Sequence, residues 1–375
     1  MVFSYVARTF AASQSRQSIA GRNCIRRIKR TFSRTAFTMC SEEEKPHGHK
    51  RFVIDADPGV DDTHAIMMAL AHPNVEVAGI TIVGGNCDID QIVLNAVRVL
   101  KTCNRLDIPV YRGSAVSLLG EIPQKSEYHM LDGLGDVPLF RRRAMRIRRM
   151  LVWCNQSMPC KPLLRLSQWY RGDLTLIALG PLTNIAMAIR LDAEFGKRLK
   201  HCYIMGGNTE GQGNITTSAE FNFHHDPEAA SIVLNELQCP ITQVGWEVTL
   251  RNMISWDWFD EACKADTREA RFLRLIHDKP EAFCKKQEWG FIPCDQTAMA
   301  VALDDGVATG WHSEYATVEL NGKYTRGQMV IDFRKVLKRE HNCRMVTKID
   351  LDRLRSCMGM AMNPGSNKSG KRKAM

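Results

Sequence analysis

Four carboxylates fall within eight positions, at Asp55, Asp57, Asp61 and Asp62, around Pro58-Gly59. Side chains this close repel one another once ionised. A hard cation with oxygen ligands, Ca2+ or Mg2+, offsets that repulsion. Helix-terminus N–H groups would help Asp61 and Asp62 if a helix starts near Val60. A capped turn with solvated Asp side chains is the alternative reading. The elements that must position the carboxylates are legible on either side. Phe52 to Ile54 is apolar and β-branched enough for a buried strand, and an apolar run with helical spacing resumes at Ala65. Strand, tight turn and helix are therefore expected, with the acids at the junction, where open α/β sheets bind ligands.

Other polar groups follow strand-like runs in the same way. Val75–Val83 leads into Gly84-Gly85-Asn86, and a helix is expected from Ile89 to Thr102. Residues 113–138 read as a long surface loop containing His129-Met-Leu-Asp-Gly-Leu-Gly-Asp136, suited to a lid or a substrate wall. A strand in Asp173–Leu179 runs into Gly180-Pro181, with Asn184 near the next helix start. His201–Gly207 ends a further strand. Asn214, Glu220 and Asn222 sit at even positions. If Ala219–Phe223 is extended, Glu220 and Asn222 share one side, backed by Phe221 and Phe223. Asp226 is placed to cap a helix opened by Pro227. Residues 241–249 read as a strand, and residues 325–333 and 346–354 as late strand or edge elements. Asp295 falls in the first turn of an apolar helix.

The 375 residues suffice for one large α/β domain or two smaller ones. The formal charge of +10 sits in the tails. Residues 1–41 carry eight Lys or Arg and no acid, and Lys368, Lys371, Arg372 and Lys373 add four. Without these eight and four, the remainder carries −2. Such a body need not be a polyanion binder. Six Arg within residues 141–149 read as a solvated face, without the aromatics that stack on bases. The thirteen Cys are scattered and form no CxxC pair, which argues for free thiols rather than a disulfide frame or zinc site. No apolar run has membrane-spanning length, so neither nucleic acid nor membrane is expected as a partner. The basic, acid-free leader has the composition of a mitochondrial transit segment, with the cytoplasm as the alternative address. The domain plan is a leader and polar linker at 1–50, one folded domain at 51–355 and a basic tail at 356–375.

Taken together, DADPGVDD at 55–62, GGN at 84–86, DGLGD at 132–136, LGPLTN at 179–184, MGG at 205–207, AEFN ending at Asn222, and Asp295 resemble the inosine-uridine-preferring nucleoside hydrolase family. The resemblance implies a single α/β domain with a mainly parallel central sheet flanked by helices. It also implies a bound Ca2+, a ribonucleoside substrate and a homodimer or homotetramer. By position, Asp57, Asp62, Asp295 and the carbonyl of Leu179 look like the metal ligands. Asp57 also looks like the base that takes a proton from the attacking water on the metal. Asp61 and Asn222 match groups that bind the ribose 2′- and 3′-hydroxyls, with Asn86 beside them. Asn214 and Glu220 match 5′-hydroxyl contacts, and Met205 lines the sugar pocket.

The base side departs from the pattern. Some family members carry His before the last ligating Asp, where this chain has Cys294, a feature of the family's cysteine-bearing branch. A thiol of ordinary pKa, about 8.5, is neutral at pH 7 and is no obvious acid. His129 is the candidate for leaving-group assistance, and Trp246 for stacking on a base. Two further functions use the same sugar pocket: hydrolysis of another ribosylated compound such as nicotinamide riboside, and non-catalytic ribose binding.

Overall fold

The computed structural model describes residues 48–122, 125, 127–137 and 158–365. The basic leader, most of the polar linker, the arginine run at 141–149 and the end of the basic tail lie outside the described residues. The chain proceeds β1 (Lys50–Ala56), α1 (Val60–Ala71), β2 (Val75–Ile82), α2 (Ile89–Thr102) and β3 (Val110–Arg112). It continues α3 (Lys161–Trp169), β4 (Leu174–Ala178), α4 (Thr183–Leu191), β5 (Leu199–Met205), α5 (Phe221–His225), α6 (Pro227–Glu236) and β6 (Ile241–Val244). Four helices follow, α7 (Trp246–Arg251), α8 (Trp256–Ala262), α9 (Arg268–Lys286) and α10 (Cys294–Leu303). The chain closes with β7 (Ala308–Glu314), β8 (Ala316–Val318), β9 (Met329–Ile331), β10 (Cys343–Ile349) and α11 (Leu351–Met362).

The main sheet has the order β3-β2-β1-β4-β5-β6-β10-β7, and β8 pairs with β9 separately. Every pairing in the main sheet is parallel except β10 with β7. The expected mainly parallel α/β architecture is therefore present. Its consequence for function lies in the order of strands. From β1 the chain builds outward through β2 and β3, then returns to lay β4 on the other side of β1. The order reverses between β1 and β4, and the crevice at that reversal opens at the carboxyl end of β1. Asp55, one residue before the end of β1, faces Thr81 on β2 and Ala178 on β4.

Burial on both faces accounts for the unbroken apolar reading of these strands. Along β1, Phe52, Ile54 and Ala56 join the core beneath α1, α2, α9, α10 and α11, whereas Val53 joins the opposite core with α3, α4 and α6. Alternation places Asp55 on the Val53 side, toward α4.

The structure corrects several readings. Residues 241–249 are not one strand: β6 stops at Val244, and extended Gly245 caps α7. Residues 346–354 do hold a late strand, the end of β10 at 346–349, but not an edge. β10 lies inside the sheet between β6 and β7, and Asp350 accepts from the N–H groups of Asp352 and Arg353 to start α11. That helix runs past 355 and buries Cys357, Met358, Ala361 and Met362, so the folded domain extends to Met362. The loop bearing His129 and Asp132 is not wholly at the surface, since both side chains are buried.

One buried cluster has a clear pH signature. His277 on α9 packs among Phe259, Phe291 and His64, with ring centroids 4.7, 5.4 and 6.3 Å away. Its Nδ1–H donates to Leu273 O at 2.8 Å. Burial, with His64 nearby, lowers its pKa from 6.5 to about 3. Between those values the unfolded chain binds a proton that the folded chain refuses, so stability falls as pH falls. Urea titrations at pH 7, 6 and 5 should show His277→Phe losing less stability on acidification than wild type. The expected difference is up to about tenfold in the folding constant per pH unit below 6.5. Parallel decline in the two proteins would exclude His277 as a contributor.

Candidate active site

The turn after β1 is held by its own acids. Asp62, three residues into the α1 segment, reaches back to accept from Asp57 N at 3.2 Å and Gly59 N at 3.0 Å. This backbone capture fixes one carboxylate at the helix N-terminus, where a negative charge is favoured. Asn86, in the turn that follows β2, completes the brace. Its N–H donates to Asp57 Oδ2 at 2.8 Å, and its side-chain amide donates to Asp57 O at 3.0 Å and Asp62 Oδ2 at 3.3 Å. Asn86 thus supports the acids. Asp55 supports the turn from behind, accepting from Thr81 Oγ1 and from Asn184 Nδ2 at 2.9 Å. The same Asn184 amide donates to Ile82 O, and its oxygen accepts from Ser114 N, joining α4 to the ends of β1, β2 and β3.

Asp295 enters from the first turn of α10. Its carboxylate oxygen, one from Asp61 and one from Asp62 all lie within 4.8 Å of one another. This grouping differs from the expected Asp57, Asp62 and Asp295 set. Asp57 stands beside it, with Oδ2 drawn onto Asn86 N, and it interacts electrostatically with Asp62, Asp61 and Asp295. Burial and this mutual repulsion raise Asp57 and Asp295 well above the usual carboxylate range. Burial takes Asp61 and Asp62 to about 6, and Asp61 also raises Asp62. Buried, hard, mutually repelling oxygens are the donor set that a divalent cation satisfies.

The other wall comes from β4, β5 and α5. Asn222 Nδ2 donates to Leu179 O at 2.7 Å and Met205 O at 3.1 Å, so one amide gathers two strand-end carbonyls. The segment around Asn222 is helical rather than extended. Glu220 is its N-cap, accepting from Gly207 N, Asn222 N and Phe223 N, while Asn214 Oδ1 accepts from Phe221 N. Capping bonds outcompete the alternating pattern here. Burial raises Glu220 to about 7 against the pull of these donors.

The candidate base-side residues are already committed. His129 Nδ1 accepts from Val60 N at 3.1 Å, which puts its proton on Nε2, 3.6 Å from Asp61 Oδ1. Burial lowers its pKa to about 4. At neutral pH the ring is an uncharged neighbour of Asp61. The Cys294 thiol donates to Thr249 Oγ1 at 3.7 Å, and burial holds its pKa well above the ordinary value.

Residues 52–356 match the profile of the inosine-uridine preferring nucleoside hydrolases. The chain belongs to that family. It is therefore a hydrolase of ribonucleosides. An inosine-uridine preferring nucleoside hydrolase of Leishmania major is 32% identical over 308 residues, 81% of this chain and 93% of that protein. Uridine nucleosidase 1 of Arabidopsis thaliana is 36% identical over 234 residues, 61% of this chain and 65% of that protein. A solved inosine-guanosine nucleoside hydrolase superposes with a TM-score of 0.76 at 31% identity, over 84% of this chain and 99% of its own.

Residues absent from the sequence reading tie this family site together. Asn95 on α2 donates to Pro58 O at 3.0 Å and Asp132 O at 2.8 Å, linking the acidic turn to the His129 loop. Arg98, one turn on, pairs with buried Asp132 at 3.3 Å. Both are polar residues on the buried face of an amphipathic helix, a mismatch visible in the 3.6-residue period. Gly85 and Gly180 cradle Asp57. A Cβ at Gly85 would collide with its Oδ2, and one at Gly180 with its Oδ1. Gly85→Ala and Gly180→Ala should each lower kcat about 100-fold by displacing Asp57, with the circular dichroism spectrum unchanged. Wild-type turnover in both would show that Asp57 needs no such cradle.

Proposed function

We propose that this hydrolase cleaves the N-glycosidic bond of ribonucleosides in a Ca2+-dependent reaction, with Asp57 as the base that activates water. The observation that carries the reading is the convergence of Asp61, Asp62 and distant Asp295 at the crevice beside Asp57. Asp62 and Asp295 belong both to that grouping and to the family pattern. They would hold the ion together with Asp57 and the Leu179 carbonyl. When bound, Ca2+ neutralises the crowded carboxylates and lowers the pKa of adjacent water.

The chain's own groups divide the remaining work. Asp57 takes one proton from the attacking water, its carboxylate oriented by Asn86. Asp61 has the more accessible side chain and, with Asn222, binds the ribose hydroxyls. Uncharged His129 stands beside Asp61, its Nε2 3.6 Å from Asp61 Oδ1. The ring of carboxylates stabilises the positive charge that develops at the sugar as the base departs. Water attacks the face opposite the base, so the anomeric centre inverts.

The deciding experiment follows base and ribose release from inosine, uridine, guanosine and adenosine by chromatography, with proton NMR of the first-formed sugar. α-Ribose and free base are expected. No turnover of any nucleoside by folded, Ca2+-loaded protein would refute the substrate class, and first-formed β-ribose would refute direct attack. Asp57→Ala should cost at least about 100-fold in kcat, the low end for a lost general base. Near-normal kcat would remove Asp57 from its role.

Chelation supplies a test independent of turnover. Dialysis against a calcium chelator should lower Tm, and added Ca2+ should restore it. A hundredfold excess over Kd contributes about 2.7 kcal/mol to stability. Asp295→Asn should blunt the restoration. A Tm indifferent to chelator and Ca2+ would argue against a resident ion.

A further inference from the structure

The loop that carries His129 is closed on itself and seated at its far end. Asp132 Oδ1 accepts from Leu134 N and Asp136 N, both at 2.9 Å, and Asp136 Oδ1 accepts from Asp132 N at 3.0 Å. On α9, Lys279 Nζ donates to Asp136 Oδ2 at 3.1 Å, and a Cβ at Gly135 would collide with Ile276 O. This bonding gives the loop its shape. Its height over the acidic turn is set by two other contacts. His129 Nδ1 accepts from Val60 N at 3.1 Å. Asn95 Nδ2 gives its two hydrogens to Pro58 O at 3.0 Å and Asp132 O at 2.8 Å.

Asn95 is fully buried, and its amide is used on both sides. Its oxygen accepts from Gln91 Nε2 at 3.0 Å and Arg98 Nη1 at 3.2 Å, which fixes the plane of the amide on α2. Arg98 Nη1 also reaches Asp132 Oδ2 at 3.3 Å, so α2 holds the loop by backbone and side chain together. The surfaces meet without slack. A Cβ at Gly59 would lie 2.6 Å from His129 Nδ1, and one at Gly133 would lie 2.8 Å from Asn95 Nδ2. Between the two contacts Met130 is held at φ 64°, a left-handed conformation that a residue with a Cβ disfavours. A segment carrying such strain keeps its place only while its surroundings hold it. Release of the Asn95 contact would let the chain relax at Met130, the residue next to His129.

We infer that Asn95 is a positioning residue for the reaction. It fixes the spacing between the acidic turn and the loop, and with it the place of the His129 ring against Asp61. This rests on the ribonucleoside hydrolase reading above. Asn95 is sealed from solvent and acts through the two carbonyls it holds. His129 needs such placement. Its Nε2 stands 3.6 Å from Asp61 Oδ1, beyond hydrogen-bond distance, so no bond to the acid locates the ring. The Val60 amide locates one side of it, and the loop backbone that Asn95 seats locates the other. A group that faces the reacting centre loses much of its effect when displaced by about 1 Å.

The test uses the full chain with Ca2+, comparing wild type, Asn95→Asp, His129→Ala and the double variant on inosine and uridine. Asp keeps an oxygen for Gln91 and Arg98 and removes both amide hydrogens. Asn95→Asp should lower kcat between about 10- and 100-fold and leave KM within about threefold. Its loss should not exceed that of His129→Ala. The double variant should match His129→Ala within about twofold, because both changes act through one ring. In hydrogen exchange, peptides covering residues 127–137 should exchange at least about tenfold faster in Asn95→Asp, with α2 unchanged. Gly133→Ala presses the same contact from the loop side and should repeat the pattern where Asn95→Asp does not fold. Gln91→Ala removes a partner of the amide oxygen alone and should keep kcat within about twofold. Unchanged kcat in Asn95→Asp, losses that multiply in the double variant, or faster exchange in α2 as well would make Asn95 a general brace and overturn the assignment. Wild type that turns over no nucleoside would instead overturn the substrate reading and take Asn95's role with it.

Discussion

Mutual repulsion among buried carboxylates is the constraint on which the rest of the structure depends. Asp57, Asp61, Asp62 and Asp295 crowd the carboxyl end of the central strand, and each is harder to ionise there than in water. A folded chain tolerates such a cluster only if other groups hold it. The chain recruits uncharged donors: the amides of Asp57, Gly59 and Asn86, and the Asn86 side chain. These bonds orient the oxygens without neutralising them. The remaining negative charge is what a cation, and then a cationic transition state, can use.

The topology explains why these acids can meet at all. Asp57 and Asp62 come from the first strand–helix unit, and Asp295 from a helix more than two hundred residues later. Laying β4 beside β1 creates the crevice, and α10 packs beside α1, bringing its first turn to the same place. Asparagines then join elements that backbone ladders cannot. Asn184 links α4 to β1 and β2, Asn95 links α2 to the turn and the His129 loop, and Asn222 links α5 to β4 and β5. An asparagine donates and accepts without adding charge, which suits a site already overcharged.

The acidic turn was legible because local chemistry decides it: an apolar strand, Pro-Gly, then a helix whose first turn carries acids. The helix at Ile89–Thr102 and the Asp226 cap were legible for the same reason, and Asp226 does accept from Ala229 N at 3.0 Å. The condition that Ala219–Phe223 be extended fails past Glu220: Glu220 is itself extended as the N-cap, but the helix begins at Phe221 and takes in Asn222. Alternation of polar and aromatic residues over five positions cannot register a distant amide, and Gly207 N is one of the donors that fix the Glu220 cap. The interior place of β10 depended on pairing with β6, a partner about a hundred residues earlier, which no local pattern encodes. His129 was visible as a histidine in a glycine-rich loop. Its tautomer was not, because that is set by the Val60 amide across the site.

The two halves of the pocket therefore face different physical demands. The sugar half is charged and braced by backbone amides, so small displacements there disturb several bonds at once. The base half is poorer in charge, with uncharged His129 and the Cys294 thiol beside the acids and Tyr128 packed edge to face on His129. Burial holds the Cys294 thiol protonated, and it spends its hydrogen on Thr249. A protonated thiol is a poor nucleophile, so the most nucleophilic side-chain type near the crevice is disarmed. That leaves water beside Asp57 as the attacking group in the proposed reaction.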